Sequence, residues 1–452
     1  MALAAAPAPA RSEGARLPLL VAGVAGTPGD VVPLAPRDTL GRYLPGSSIL
    51  QQPSGRLVVG ARPPAAGLVA AALRPAVAGT DPVTAARAVA AAAASRAWLT
   101  SGRVPGRTGL ERAIAERALL DLRLLTAPDG AVVAADHGYW AYVWPRDAAF
   151  VAAAFAATGH RDEALSVLRW VAGVQDDDGT WQARYHPGDG SPVLDGRPPQ
   201  LDAVGWVPWA AWFWVATAPD PTAAVRALDP LWSSVARAAD AAAGSLGPDG
   251  LPRPTPDYWE TAVDGPTVET VASLRAGLRA AADLAQRRGD VGAHERWQTA
   301  ADRLDEAARR TFGETSWQRY PDGGGADAAV ALLGPPFAPA EASVTAAVAR
   351  ASTVLAAPAG GLRPGEDWGS DRSVSWTPAT GFVLLAAAAG GDRPTADGWL
   401  RWFEDHTTSL GALPEKVDAR GRPASVAPLA WTDALVLLAL VARDHGLPVP
   451  PR

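Results

Sequence analysis

From Gly109 to the C-terminus the chain reads as helix after helix, and the helices alternate in character. Residues 148–157, 204–215, 326–333, 381–389 and 428–441 are apolar on every side. Residues 161–175, 221–243, 293–310 and 395–406 each carry one apolar stripe and one polar face, 341–355 holds some charge, and 267–288 is mixed. A helix apolar all round must be buried, and one with a polar face sits outside. About twelve helices that alternate in this way imply two concentric rings. The expected fold class is therefore all-α, an (α/α)6 barrel. The alternative is an open α-solenoid, but the chain shows no fixed sequence period.

The first stretch, 1–80, has no Trp and is studded with Pro and Gly. Short apolar pieces at 57–59 and 68–70 read as strands. Asp81-Pro-Val-Thr84 caps an Ala-rich helix. The expected organisation is a small β-containing segment over 1–80, a linker helix within 81–103 and a barrel domain over 104–452. Residues 17–25 are apolar but short and broken by Pro18, unlike a signal peptide. No run approaches the roughly eighteen apolar residues of a membrane span. A cytoplasmic location is expected, with secretion as the alternative.

The net charge of −6 and the absence of Lys/Arg blocks argue against nucleic-acid binding. The chain has no Cys, and its six His form no HExxH and no close pair. No metal and no cofactor is expected.

In a barrel of this kind all outer-to-inner connections lie at one end. The polar and aromatic motifs fall in those connections. Trp144-Pro-Arg-Asp147 precedes the first apolar helix, Gln200-Leu-Asp202 the second, and Asp257-Tyr-Trp-Glu260 the mixed helix at 267–288, the third inner candidate. Leu362-Arg-Pro-Gly-Glu-Asp-Trp368 and Leu413-Pro-Glu415 precede later ones. The connections at the other end are short and plain. Pro145 suits a helix's first turn, so 139–144 is expected as loop or short strand, with Arg146 and Asp147 at the mouth of a buried helix. The rings of Trp140, Tyr142 and Trp144 can cover the apolar face of a pyranose, and the Arg–Asp pair can bind its hydroxyls. A Trp-rich core corner with a structural ion pair is the plainer reading of the same residues.

Two carboxylates stand out. Glu260 follows Tyr258-Trp259 and is expected against apolar rings, where poor solvation suits a general acid. Glu415 follows Pro414, with Lys416 and Asp418 nearby, a setting that suits an ionised base. Two carboxyls in unlike environments across a sugar pocket are the apparatus of glycoside hydrolysis. Each alone is also explained as a solvated loop residue.

This set resembles glycoside hydrolase family 15, the glucoamylase and glucodextranase family. The matching pieces are Val143-Trp-Pro-Arg-Asp147, the 175–181 stretch with Arg184-Tyr185, Pro199-Gln-Leu-Asp202, Tyr258-Trp-Glu260, Gly361-Leu-Arg363 with Asp367-Trp368, the 411–415 stretch, and Pro428-Leu-Ala-Trp431. They follow the family's order from about Val104 to the C-terminus. The resemblance implies an (α/α)6 barrel and an inverting hydrolase of α-1,4- or α-1,6-linked gluco-oligosaccharides, acting at non-reducing ends. Residue by residue, Glu260 matches the general acid and Glu415 the general base. Arg146 and Asp147 match the pair that binds the terminal glucose, Arg363 a further substrate-binding arginine, and Trp259 the pocket wall. Asp202 falls in a family motif and is expected among the substrate-binding residues. The chain departs from the family at Trp140, where a Tyr is frequent, and at Thr261, where a second acidic residue often follows the acid. Thr261 would weaken acceptor contacts and leave room for α-1,6 linkages. No starch-binding module is expected after the barrel. The alternatives are a trehalase-type or phosphorolytic enzyme on the same barrel, or a non-catalytic glycan-binding barrel. The expected partner is a small oligosaccharide.

Overall fold

The computed structural model describes residues 17–60, 81–369 and 371–452. Its N-terminal part holds the hairpin β1 (Gly23–Thr27) and β2 (Asp30–Leu34), then a three-stranded antiparallel sheet of β3 (Arg42–Tyr43), β4 (Leu50–Gln51) and β5 (Leu57–Val58). The strand expected at 57–59 is β5. The one expected at 68–70 lies outside the described residues. Helix α1 (Pro82–Ser101) starts on an Asp81 cap whose carboxylate accepts from the amides of Val83 and Thr84. Trp98 of α1 stacks on His160, 3.8 Å between rings, and bonds Glu163, so the helix lies packed on the barrel.

Twelve further helices follow: α2 (Gly109–Leu125), α3 (Pro145–Ala157), α4 (Arg161–Gly173), α5 (Ala203–Ala216), α6 (Pro221–Ala227), α7 (Trp232–Gly244), α8 (Val268–Arg288), α9 (Val291–Thr311), α10 (Ala342–Val354), α11 (Thr377–Ala389), α12 (Arg393–Asp405) and α13 (Ala430–His445). Short strands β6 (Ser375–Trp376), β7 (Lys416–Val417) and β8 (Pro423–Ala424) form one sheet among the late connections.

Every residue of α3 is buried, while α4 buries only Ala164, Val167, Leu168 and Val171. The inner elements touch in a closed circuit, α3 to α5 to α8 to a 3-10 turn at Ala328–Leu333, then α11, α13 and back to α3. The contact between α13 and α3 closes the ring, which separates a barrel from a solenoid. The fold is an (α/α)6 barrel. Inner helices α5 and α8 cross at Gly205 and Gly277. A Cβ on Gly205 would sit 2.1 Å from the Ser273 carbonyl oxygen, and one on Gly277 2.4 Å from that of Gly205. Only glycine permits so close a crossing.

Two helices expected from the sequence differ. The amphipathic run over 221–243 breaks into α6, a 3-10 turn at Asp229–Leu231 and α7, because Pro230 has no amide hydrogen and restrains Asp229 before it. The fourth inner helix, expected at 326–333, is the six-residue 3-10 turn, fully buried. It cannot lengthen, since Gly323, Gly324 and Gly325 precede it at positive φ and Pro335 and Pro336 follow. Among the described residues no helix is long and apolar enough to cross a membrane, and no group of His, Asp and Glu is placed to hold a metal ion.

Candidate active site

Pro145 opens α3, which points Arg146 and Asp147 from its first turn into the end of the barrel where the outer-to-inner connections gather. Both are buried. Arg146 donates through Nη1 to Gln200 Oε1 and Asp202 Oδ2, each at 2.9 Å. Its Nη2 lies 3.2 Å from Asp147 Oδ2 and 4.0 Å from Glu260 Oε1. Its guanidinium carbon stands 4.6 Å over the ring of Trp431. Burial pushes the Asp147 carboxyl up to about 6 despite the opposing pull of Arg146, with the charges of Glu260 and Asp202 adding to the rise. Asp202 lies behind Arg146 and holds it. It is 1 % exposed and does not line the cavity.

Glu260 sits at the end of a turn built on Asp257. The Asp257 carboxylate accepts the Trp259 amide at 2.9 Å, and its carbonyl accepts the Glu260 amide at 2.8 Å. Beneath the turn Arg319 bridges Asp257 at 3.0 Å and Asp327 at 2.6 Å, and lies 3.6 Å under the Trp259 ring. Glu260 takes φ 55°, a left-handed backbone that costs a non-glycine residue on the order of 1 kcal/mol. Its Oε1 accepts the Trp144 indole N–H at 2.6 Å, and its Oε2 pairs with Arg197. The acid expected against apolar rings thus has rings on one side and a guanidinium on the other. The sequence hid this because Arg197 arrives from a connection 63 residues away.

Glu415 is buried, with its amide bonded to the Val426 carbonyl at 2.8 Å and its own carbonyl accepting the Thr377 amide at 3.0 Å. The Ser425 hydroxyl donates to Oε2, and Lys416 Nζ stands 3.5 Å from the same oxygen. Lys416 also lies 4.1 Å over the Trp376 ring. Ser425 is itself fixed by the N-terminal segment. Its amide donates to Pro18 O at 2.8 Å, and its carbonyl accepts the Leu20 amide at 2.6 Å. Asp418, expected beside Glu415, instead accepts from Arg422 Nη2 at 2.7 Å in its own turn and stands outside the cavity.

These groups share a cavity of about 300 Å³, lined from five of the six outer-to-inner connections and by the ends of the helices they lead into. Glu260, Glu415, Arg146 and Asp147 all face it, as do Trp140, Trp144 and Trp259. Trp259, Trp368 and Trp376 form a run of edge-to-face rings, 5.1 and 5.2 Å between neighbours. Besides Asp202, two expected binding residues are elsewhere. Tyr142 packs behind the wall against Trp144 at 6.3 Å, with Arg184 over its ring at 4.8 Å. Arg363 does not reach the cavity, because its Nη2 caps the last turn of α10 at the Val354 carbonyl, 2.9 Å away. Thr261 is exposed and does not line the cavity.

The sequence reading missed Arg197, Lys416, Trp376 and Ser425 as site residues. Arg184, Trp368 and Trp431 stood within quoted motifs but were given no role. Lys416 was legible as the neighbour of Glu415. Nothing local marks Arg197 or Ser425.

A sequence model described as "Glycosyl hydrolases family 15" matches residues 113–348, more than half of the chain. An uncharacterized glycosyl hydrolase of Methanocaldococcus jannaschii is 31% identical over 99 residues, which span 22% of this chain and 16% of that protein's length. Among solved structures, a wild-type glycosidase superposes with a TM-score of 0.61 at 21% identity, covering 76% of this chain and 100% of the other. A bacterial glucoamylase complexed with acarbose gives 0.62 at 19% identity, covering 81% and 60%. The glucoamylase of Saccharomycopsis fibuligera gives 0.57 at 14%, covering 76% and 97%. These likenesses show a shared barrel, and the match over residues 113–348 shows the lineage: the chain belongs to glycosyl hydrolases family 15.

Proposed function

We propose that the protein is an inverting, exo-acting α-glucoside hydrolase that releases β-glucose from the non-reducing ends of short α-1,4- or α-1,6-linked gluco-oligosaccharides. The observation that carries this reading is the aromatic-walled cavity in which Glu260, Glu415 and the Arg146–Asp147 pair stand together. Glu260 acts as general acid and gives its proton to the glycosidic oxygen as the bond to the anomeric carbon breaks. Glu415 acts as general base and takes a proton from the water that attacks that carbon from the opposite face. The hydrogen bond from Ser425 and the nearby Lys416 ammonium occupy Oε2 of Glu415, which leaves Oε1 for the water. Arg146 and Asp147 bind hydroxyls of the terminal glucose at the buried base through charge-assisted hydrogen bonds. Tryptophan faces supply the apolar surface for the sugar rings. The presence of Glu415 favours hydrolysis over phosphorolysis, which needs no base to activate water.

Proton NMR of the fresh product of maltose or isomaltose tests the reading. β-Glucose in excess at the first time points is expected. Initial α-glucose would overturn inversion, and glucose 1-phosphate formed only with added phosphate would overturn hydrolysis.

A further inference from the structure

Neither carboxyl oxygen of Glu260 is idle. Oε1 takes the Trp144 indole N–H on the buried side, where Arg146 also stands at 4.0 Å. Oε2 takes the Arg197 guanidinium, which faces the cavity from a side chain 37% exposed. To donate its proton, Glu260 must bring one of these oxygens to roughly 3 Å from the glycosidic oxygen. Oε2 is the accessible one, so the leaving group arrives where Arg197 now sits.

Arg197 is a mounted group and no stray surface arm. Its Nε lies 3.4 Å from Asp195 Oδ2, and that same carboxylate is paired with the buried Arg184. Three residues on, Gln200 is bonded to Arg146 at 2.9 Å. The charge on this side follows from the chemistry. A general acid works in its neutral, protonated form, and then Arg197 has lost its counter-ion at Glu260. What remains is Arg184 and Arg197 against Asp195 alone, an excess of one positive charge. Elsewhere in the cavity each cation keeps its partner, Lys416 with Glu415 and Arg146 with Asp147 and Asp202.

We propose that Arg197 is a specificity residue for the leaving group, and that the site prefers α-glucosides whose leaving group carries a carboxylate or phosphate near the scissile bond. The guanidinium exchanges its contact with Glu260 for the substrate's anion. A planar fork of N–H donors matches such an anion in geometry as well as charge. This rests on the α-glucosidase reading of the same cavity.

The test compares two substrates that differ only at C1 of the leaving group, a carboxylate in maltobionate and a hydroxymethyl group in maltitol, with isomaltobionate and isomaltitol as the 1,6-linked pair. The wild type is expected to favour the carboxylate by about tenfold or more in kcat/KM, and the preference should shrink as salt is raised. In Arg197→Gln the ratio should fall to about one, and Arg197→Lys should keep part of it, since charge remains without the fork. A wild-type ratio near one, or a preference untouched in Arg197→Gln, overturns the proposal. Calorimetry with gluconate and glucitol separates this from failure of the hydrolase reading, because it needs no turnover. If no α-glucoside is cleaved, α-glucosyl fluoride included, the hydrolase reading falls, and the binding comparison still decides Arg197. Tighter binding of gluconate that is lost in Arg197→Gln supports the proposal, and equal binding of the two overturns it.

Discussion

Asp147 and Glu260 each stand against a guanidinium, but at opposite ends of the proposed reaction, and their substitutions are expected to read differently. Asp147 is buried, and in Asp147→Ala the hydroxyl it binds would lose an ionic acceptor in a dry site. The expected loss in kcat/KM is at least about 3 kcal/mol. It should be smaller on a glucoside already lacking that hydroxyl. Equal losses on native and deoxygenated substrates would make Asp147 a structural partner of Arg146. Glu260→Gln keeps an acceptor for the Trp144 indole but has no proton to give. Alkyl glucosides should suffer far more than α-glucosyl fluoride, whose leaving group needs little help. Glu415→Gln should damage both about equally. At this scale the sequence was legible where chemistry sits beside its own punctuation. Trp144-Pro145-Arg146-Asp147 is readable because a proline marks the helix start in front of the charges. Arg363 was misplaced, since its register in a motif says nothing of the Val354 carbonyl that takes its guanidinium. Ser425 was invisible because its partner Glu415 is reached only through strand pairing of β7 with β8.

The elements position the site through a few buried brackets. The clearest is Arg319, 1% exposed between Asp257 and Asp327, under the turn that delivers Glu260. Arg319→Leu would leave two carboxylates buried without their cation, which should cost about 3–5 kcal/mol in stability. The turn should loosen as well, and Glu260 with it. Thermal unfolding measures the first effect. The second should appear as a fall in kcat on alkyl glucosides that exceeds the fall on α-glucosyl fluoride. Equal falls on both would mean that the bracket serves stability alone. Helix existence was readable from periodicity, and helix ends less so. Inner helices declare themselves because their whole circumference is apolar, as in α3 and α5. The short fourth inner element carried the same apolar signal. There, the glycines before it and the prolines after it decided its length, and hydropathy alone does not weigh them.

For the whole molecule, alternation implied two rings, but closure rests on the contact of α13 with α3, between chain segments far apart in sequence. The docking of the N-terminal segment was likewise illegible, because it runs through backbone bonds such as Ala427 N to Val21 O at 3.0 Å, which leave no side-chain pattern. The assembled barrel has a collective electrostatic property that no single motif shows. Burial raises several of its carboxyls. Asp147 rises to about 6, and Asp433 and Glu269 rise well above their ordinary values. Others are held down to about 2, Glu111 chiefly by its bond from Arg443 and Glu341 chiefly by its bond from Arg309. The two sets act in opposite directions. A lowered carboxyl stabilises the fold above its ordinary value near 4.5, and that contribution is lost as pH falls toward 2. A raised carboxyl keeps its proton in the fold while the unfolded chain has given it up. Stability therefore declines as pH rises from about 4 through the folded value, and the cost is complete above it. The melting temperature should thus peak at about pH 4–5 and fall on both sides. Asp433 allows a direct check. Burial is the main cause of its rise, the charge of Asp121 adds to it, Arg117 opposes it, and neither of its oxygens has a hydrogen-bond partner. Asp433→Asn keeps the shape and removes the ionisation, so it should raise the melting temperature strongly at pH 7–8 and only slightly at about pH 4, where the unfolded carboxyl still holds much of its proton. A gain of equal size at both pH values would trace the effect to packing and detach Asp433 from the alkaline decline.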